Sequence, residues 1–229
     1  MFFDPLYLLL MAPALVLSLW ASYRTKSAFK KYSRVPTSSG LTGAQAAARM
    51  LASAGLSDVK IVPVAGELTD HYNPATKTLA LSQPVFASST IAAVGVACHE
   101  AGHAIQHARH YGPLWLRSLL VPTAGIGSKL GYFVMLFGLI LGSMNMVLVG
   151  ALLFSAVLLF QLVTLPVELD ASHRAKELSQ TYGIVVGNER EGVYRVLNAA
   201  ALTYVAAAVS TLLTLLYFLL RAGILGGRD

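Results

Sequence analysis

The sequence predicts an α-helical integral membrane protein with about four transmembrane helices and a small α+β domain outside the bilayer. Three observations carry that reading. The chain of 229 residues is 55% hydrophobic and only 12% charged, about half the charged share of an ordinary globular domain. Its mean hydropathy is +0.62, too apolar for a soluble domain of this length. The apolar residues gather into four stretches of roughly 20, the length that crosses a bilayer as a helix.

The first span is PLYLLLMAPALVLSLWASY, residues 5–23. Only Asp4 charges the segment before it, and no small-x-small cleavage site ends it, so it reads as an uncleaved anchor. YRTKSAFKKYSR follows, with Arg24, Lys26, Lys30, Lys31 and Arg34. This basic flank puts the N-terminus outside and the next segment in the cytoplasm. The second span falls at about 123–144, with Lys129 reaching the headgroups along its stem. The third is 146–165 and the fourth 202–220. Residues 24–122 hold ten Lys and Arg, and residues 166–201 add Arg174, Lys176, Arg190 and Arg195. The turn at Ser143–Asn145 has none; the tail, with Arg221 and Arg228, lies outside, mildly against the rule.

The expected division is therefore an anchor (1–23), a cytoplasm-facing α+β domain (24–122), a membrane hairpin (123–165), a helical segment completing the site (166–201), and a last span with its tail (202–229). These flanks absorb the net charge of +6, so a nucleic-acid partner is not expected and the partner surface is the lipid bilayer of the cytoplasmic membrane. The single cysteine, Cys98, forms no internal disulfide.

Outside the spans, Thr42 is placed to cap a helix through GAQAAARMLASA, ended by Gly55. VKIVPVAG (59–66) reads as a strand, DHYNPATK carries an Asn-Pro turn signal, and the alternation of KTLALS (77–82) reads as a half-exposed strand. Ser88 or Ser89 then caps a long helix, about 89–110.

That helix contains CHEAGHAIQHARH, residues 98–110, with four of the six histidines of the chain. His99-Glu100-Ala101-Gly102-His103 is an H-E-x-x-H. On a helix, His99 and His103 share a face and can bind one Zn²⁺. Glu100 stands beside them as a general base for water whose pKa the metal lowers to about 7. The apolar half-helix before the motif implies burial, where a His and Glu cluster needs a partner such as a metal. His107 lies about 12 Å along the axis from His99 and His110 further still, so neither reaches the same ion. Cys98 points off that face and reads as a small core residue.

A catalytic zinc takes three protein ligands and leaves one position open. Acids are scarce, eleven in all. LPVELDASHRAKEL (165–178) offers Glu168 and Asp170 at the expected end of the third span. Two apart on a helix, they point to different sides. Glu168 is the expected third ligand; Asp170 is spaced either for an ion pair with Arg174 or for supporting a ligand.

GELTDHYNPATKTLALSQPVF, IAAVGVACHEAGHAIQHA, LPVELDASHRA and VLNAAALTYVAA together span most of residues 40–210. Through them the chain resembles the bacterial membrane-embedded neutral zinc metallopeptidases of the YugP type, and its architecture is similar to the HtpX and CAAX prenyl protease group. The resemblance implies a zincin-like domain, one catalytic Zn²⁺ on His99, His103 and Glu168, and Glu100 as base. It implies that KTLALS is the edge strand beside the cleft, so Lys77, Thr78, Leu79, Ala80 and Leu81 would pair with a substrate backbone. Glutamate zincins often place Asp four residues after the ligand Glu, bonded to a ligand histidine; here Ser172 stands there. For a transition-state oxyanion, His71, Tyr72, His173, Arg174 and Tyr204 are the candidates.

The expected activity is hydrolysis of peptide or membrane-protein substrates, in membrane protein quality control or processing. The competing class is a non-catalytic membrane scaffold or transport component with a structural metal site. Glu100 discriminates, because a structural site needs no base beside its ligand. A membrane-protein partner or a homo-oligomer is compatible with either.

Overall fold

The computed structural model describes residues 4–225; residues 1–3 and 226–229, and with them Arg228, lie outside the described part. In chain order the elements are α1 (Pro5–Tyr32), α2 (Gly43–Ser53), β1 (Lys60–Val64), β2 (His71–Asn73), β3 (Thr78–Ser82), α3 (Gln83–Ala87), α4 (Ile91–Ala108), α5 (Gly112–Ile126), a π-helical turn (Gly127–Gly131), α6 (Tyr132–Ile140), α7 (Met144–Thr181) and α8 (Glu189–Arg221). The chain divides into two compact units: Met1–Ala21, Leu116–Leu165 and Thr203–Asp229 form one, Ser22–Trp115 and Pro166–Leu202 the other.

Among the described residues, four continuous helices are long and apolar enough to cross a membrane: Pro5–Tyr32, Gly112–Ile140, Met144–Thr181 and Glu189–Arg221. Leu9, Ile140 and Leu152 stay exposed on them, as suits side chains that meet lipid tails rather than water. The second of these helices starts at Gly112, eleven residues before the expected 123. Pro113 sits in its first turn, where a missing N–H costs nothing, so the apolar WLRSLLV stretch joins the helix.

The first unit is built on Met135, Val147, Phe154, Tyr217 and Phe218. A Cβ on Gly131 would stand 2.7 Å from the Phe154 backbone nitrogen. A glycine there lets the two arms of the hairpin approach backbone to backbone, the usual device of membrane helices.

The second unit wraps around α4, buried along almost its whole length. Met50 of α2, Leu79 and Leu81 of β3, and Val94 and Ile105 of α4 form its core. Thr42 caps α2 as its spacing predicts, in a capping box with Gln45. The cap of α4 is Thr90, which accepts from the Ala93 N–H, rather than Ser88 or Ser89; Pro36 pairs with Thr90 in an isolated bridge, holding it extended as a cap requires.

The sheet order is β1-β3-β2, with β1 parallel and β2 antiparallel to β3. This corrects the expectation for KTLALS. β3 is the central strand, paired on both sides, and Leu79, Ala80 and Leu81 are buried. Its backbone groups serve the neighbouring strands, so residues 77–81 offer no free edge to a substrate. The strand is not half-exposed either. The cause is β2, a three-residue strand inside DHYNPATK that takes the edge.

Candidate metal centre

α4 and α7 meet where a glycine removes the side chain between them. A Cβ on Gly102 would lie 2.7 Å from the carbonyl oxygen of Ala171. That close approach sets Glu168, three residues before Ala171 on α7, against the two motif histidines one helical turn apart on α4.

Glu168 Oε2 is 3.1 Å from His99 Nε2 and 3.5 Å from His103 Nε2. One ligand atom from each of the three residues falls within a 4.8 Å group. Zinc–N and zinc–O bonds of about 2.0–2.1 Å at tetrahedral angles separate donors by about 3.3–3.4 Å. The two spacings to Glu168 bracket that value, so the two imidazoles and the carboxylate are compatible with a shared metal ion such as zinc.

Both rings have their other nitrogen occupied. His99 Nδ1 lies 3.1 Å from Ser172 Oγ. His103 Nδ1 lies 2.9 Å from Gln106 Oε1. Gln106 Nε2 spends its two hydrogens on the Val167 carbonyl at 2.8 Å and Asp170 Oδ2 at 2.7 Å. Its oxygen therefore accepts, and His103 Nδ1 carries the proton that it donates. The lone pair of His103 is then on Nε2, the atom facing Glu168. Asp170 also accepts from Arg174 Nε at 2.6 Å. The two readings of Asp170 are both realised: it is paired with Arg174, and it holds the amide that orients a motif histidine.

Glu168 is 2% exposed and Glu100 8%, while the His99 side chain is 14% exposed. The cluster is largely desolvated but open on the His99 side. Burial works against a charged His103, yet the Glu168 hydrogen bond and the charges of Glu100 and Glu168 outweigh it and raise its pKa above the ordinary imidazole value. Cys98 is fully buried, burial pushes its thiol up to about 12, and it lies outside the donor group.

The family described as "Putative neutral zinc metallopeptidase" matches residues 7–223. The chain belongs to that family. It is 48% identical over 224 residues to the "Putative membrane protease YugP" of Bacillus subtilis (strain 168), covering 98% of this chain and 99% of that one. No solved structure matches. The protein is thus a membrane member of a zinc metallopeptidase family, and its candidate metal donors are the two motif histidines and Glu168.

The other candidates divide. Ser172 stands at His99. His107 and His110 lie outside the donor group and line a separate cavity of about 280 Å³ with Asp58 and Tyr72; Tyr72 Oη is 2.9 Å from His107 Nδ1. His71 Nδ1 is 2.8 Å from the Thr69 carbonyl and His173 pairs with Glu177 on an exposed face, so neither joins the cluster. Arg174 is engaged with Asp170 and lies over the Tyr111 ring. Tyr204 belongs to the other compact unit. Gln106 went unnoticed in the sequence. Its signal was there: an amide three residues after His103, on a helix otherwise apolar around it.

Proposed function

We propose that the protein is an integral-membrane zinc metalloendopeptidase whose centre is His99, His103 and Glu168, with Glu100 as general base. The observation that carries this is the convergence of His99 Nε2, His103 Nε2 and a Glu168 oxygen beside a buried, otherwise unexplained carboxylate at position 100. A bound zinc supplies Lewis acidity, acidifying water and polarising a carbonyl. Glu100 takes the proton from the attacking water at a carboxylate oxygen and returns it to the nitrogen of the leaving amine. Ser172 and Gln106 hold the two imidazoles with Nε2 turned inward. Burial of Glu168 and Glu100 excludes bulk water and strengthens each of these interactions.

β2 takes over the role first given to β3. It is a sheet edge, joined to α4 through Tyr72 and His107. An extended peptide pairing with His71–Asn73 would lie along the motif helix and be recognised through its backbone. The basic flanks support a cytoplasmic active site, and the expected substrates are membrane or membrane-adjacent proteins in quality control or processing.

The test is zinc content and casein cleavage of purified full-length protein. Wild type should hold one zinc and cleave; Glu100→Ala should hold one zinc and lose at least about 100-fold in rate, the usual contribution of a general base. Full cleavage by Glu100→Ala removes the base assignment, and stoichiometric zinc in both His99→Ala and Glu168→Ala removes the ligand set. Zinc without cleavage in the wild type favours the scaffold reading.

A further inference from the structure

Arg24, Ser27 and Lys31 recur on α1 at intervals of three and four, so they share one face of it. Arg195 and Asn198 share a face of α8 in the same way. Between the two faces, all within the second unit, is a cavity of about 380 Å³. Thr25 Oγ1 donates to the Ala199 carbonyl at 2.9 Å and ties the helices together beside it.

The cavity wall carries three cations and no carboxylate. Lys176 brings a fourth cation to the rim by donating to Asn198 Oδ1. Glu191 accepts from Arg195 Nε at 2.8 Å, both side chains being well exposed. A guanidinium held through Nε keeps its terminal N–H groups for another acceptor. Cations gathered round a concavity repel one another and create a positive potential that favours an anion inside. Arg24 comes directly after the apolar run 5–23, the position where a membrane helix meets headgroups.

We propose that this cavity binds the phosphate of an anionic phospholipid headgroup. Arg24, Lys31 and Arg195 surround the phosphate, and Ser27 and Asn198 are the polar partners for a glycerol headgroup. A choline headgroup brings its own cation into the same positive field and is disfavoured. Basic pockets beside membrane helices take anionic headgroups in this way. The inference goes beyond the peptidase reading and does not depend on it.

The experiment titrates full-length protein in a neutral detergent with dioctanoyl phosphatidylglycerol, dioctanoyl phosphatidylcholine and inorganic phosphate, reading binding by thermophoresis. Phosphatidylglycerol should bind at least about tenfold more tightly than phosphatidylcholine, and inorganic phosphate at least about 100-fold more weakly than phosphatidylglycerol. The triple variant Arg24→Gln, Lys31→Gln, Arg195→Gln should lose on the order of 100-fold for phosphatidylglycerol, roughly fivefold per cation, and no longer prefer it to phosphatidylcholine. Lys31→Gln alone, an exposed substitution that leaves the fold intact, should lose about fivefold, and Lys60→Gln, outside the cavity, nothing. Equal affinity for the two lipids, or unaltered phosphatidylglycerol affinity in Lys31→Gln, overturns the proposal. Inorganic phosphate binding as tightly as the lipid overturns it in favour of a soluble anion.

Discussion

Gly102→Ala separates metal binding from stability. The added Cβ would lie 2.7 Å from the Ala171 carbonyl oxygen, whereas ordinary contact begins at 3.4 Å. The atom it meets is backbone, so α4 and α7 must part by about 0.7 Å, more than the roughly 0.5 Å that a catalytic constellation tolerates. Overpacking of this kind costs about 1–3 kcal/mol. Replacing a helical glycine by alanine returns about 1 kcal/mol. The metal-free protein should therefore lose only about 0–2 kcal/mol and remain folded. Zinc binding should suffer more: with Glu168 displaced from His99 and His103, affinity should fall by about 10–100-fold, or about 1.4–2.8 kcal/mol. Gly95→Ala is the control. It lies on the same helix, but its Cβ would meet Val193 Cγ1 at 3.5 Å, so the variant should gain helix propensity and keep its zinc. Chelator competition measures zinc affinity, and urea unfolding of the metal-free proteins measures stability. If Gly102→Ala binds zinc as tightly as Gly95→Ala, the close approach is not what sets Glu168 in place.

Gln106→Leu leaves the His103 Nδ1–H without its acceptor in a buried site, and should weaken zinc binding by about 10–100-fold; chelator competition that shows no change would dismiss the tautomer argument. Zinc affinity should rise with pH and level off only above the raised pKa of His103, because below it a proton must leave Nε2 before the metal can bind. In the metal-free protein the same shift has the opposite sign for stability: the protonated His103 pair contributes below the ordinary imidazole pKa of about 6.5 and is lost as pH rises through the raised value. A zinc affinity that is flat between about pH 5.5 and 7.5 would contradict this. Cys98, with its thiol pushed up to about 12, should resist maleimide at pH 8 in the native protein and react once unfolded; rapid native labelling would show that α4 opens.

Much of this arrangement was legible in the residues because its signals are chemical or periodic. H-E-x-x-H reports two candidate donors on one helix face with a carboxylate beside them, and the scarcity of acids makes Glu168 stand out across a membrane hairpin. Thr42 announces a cap by spacing alone. The parts that were missed depend on what packs where. β2 is three residues long, too short for an alternation to register, and it sits inside an Asn-Pro turn signal. Without it, the alternating polar and apolar residues of β3 read as a half-exposed edge. The second span was expected only from about 123, although Gly112 and Pro113 are both compatible with a first helical turn. Gln106 is one amide among many until its three hydrogen bonds place it between His103 and Asp170.

The most direct test of the account is zinc-edge X-ray absorption of the zinc-loaded full-length protein, compared with Glu168→Ala. Two imidazole nitrogens and one carboxylate oxygen, with a solvent oxygen completing the shell at about 2.0–2.1 Å, are predicted for the wild type, and loss of the carboxylate scatterer or of the zinc for the variant. A third imidazole, a sulfur ligand, or a wild-type spectrum preserved in Glu168→Ala would contradict it.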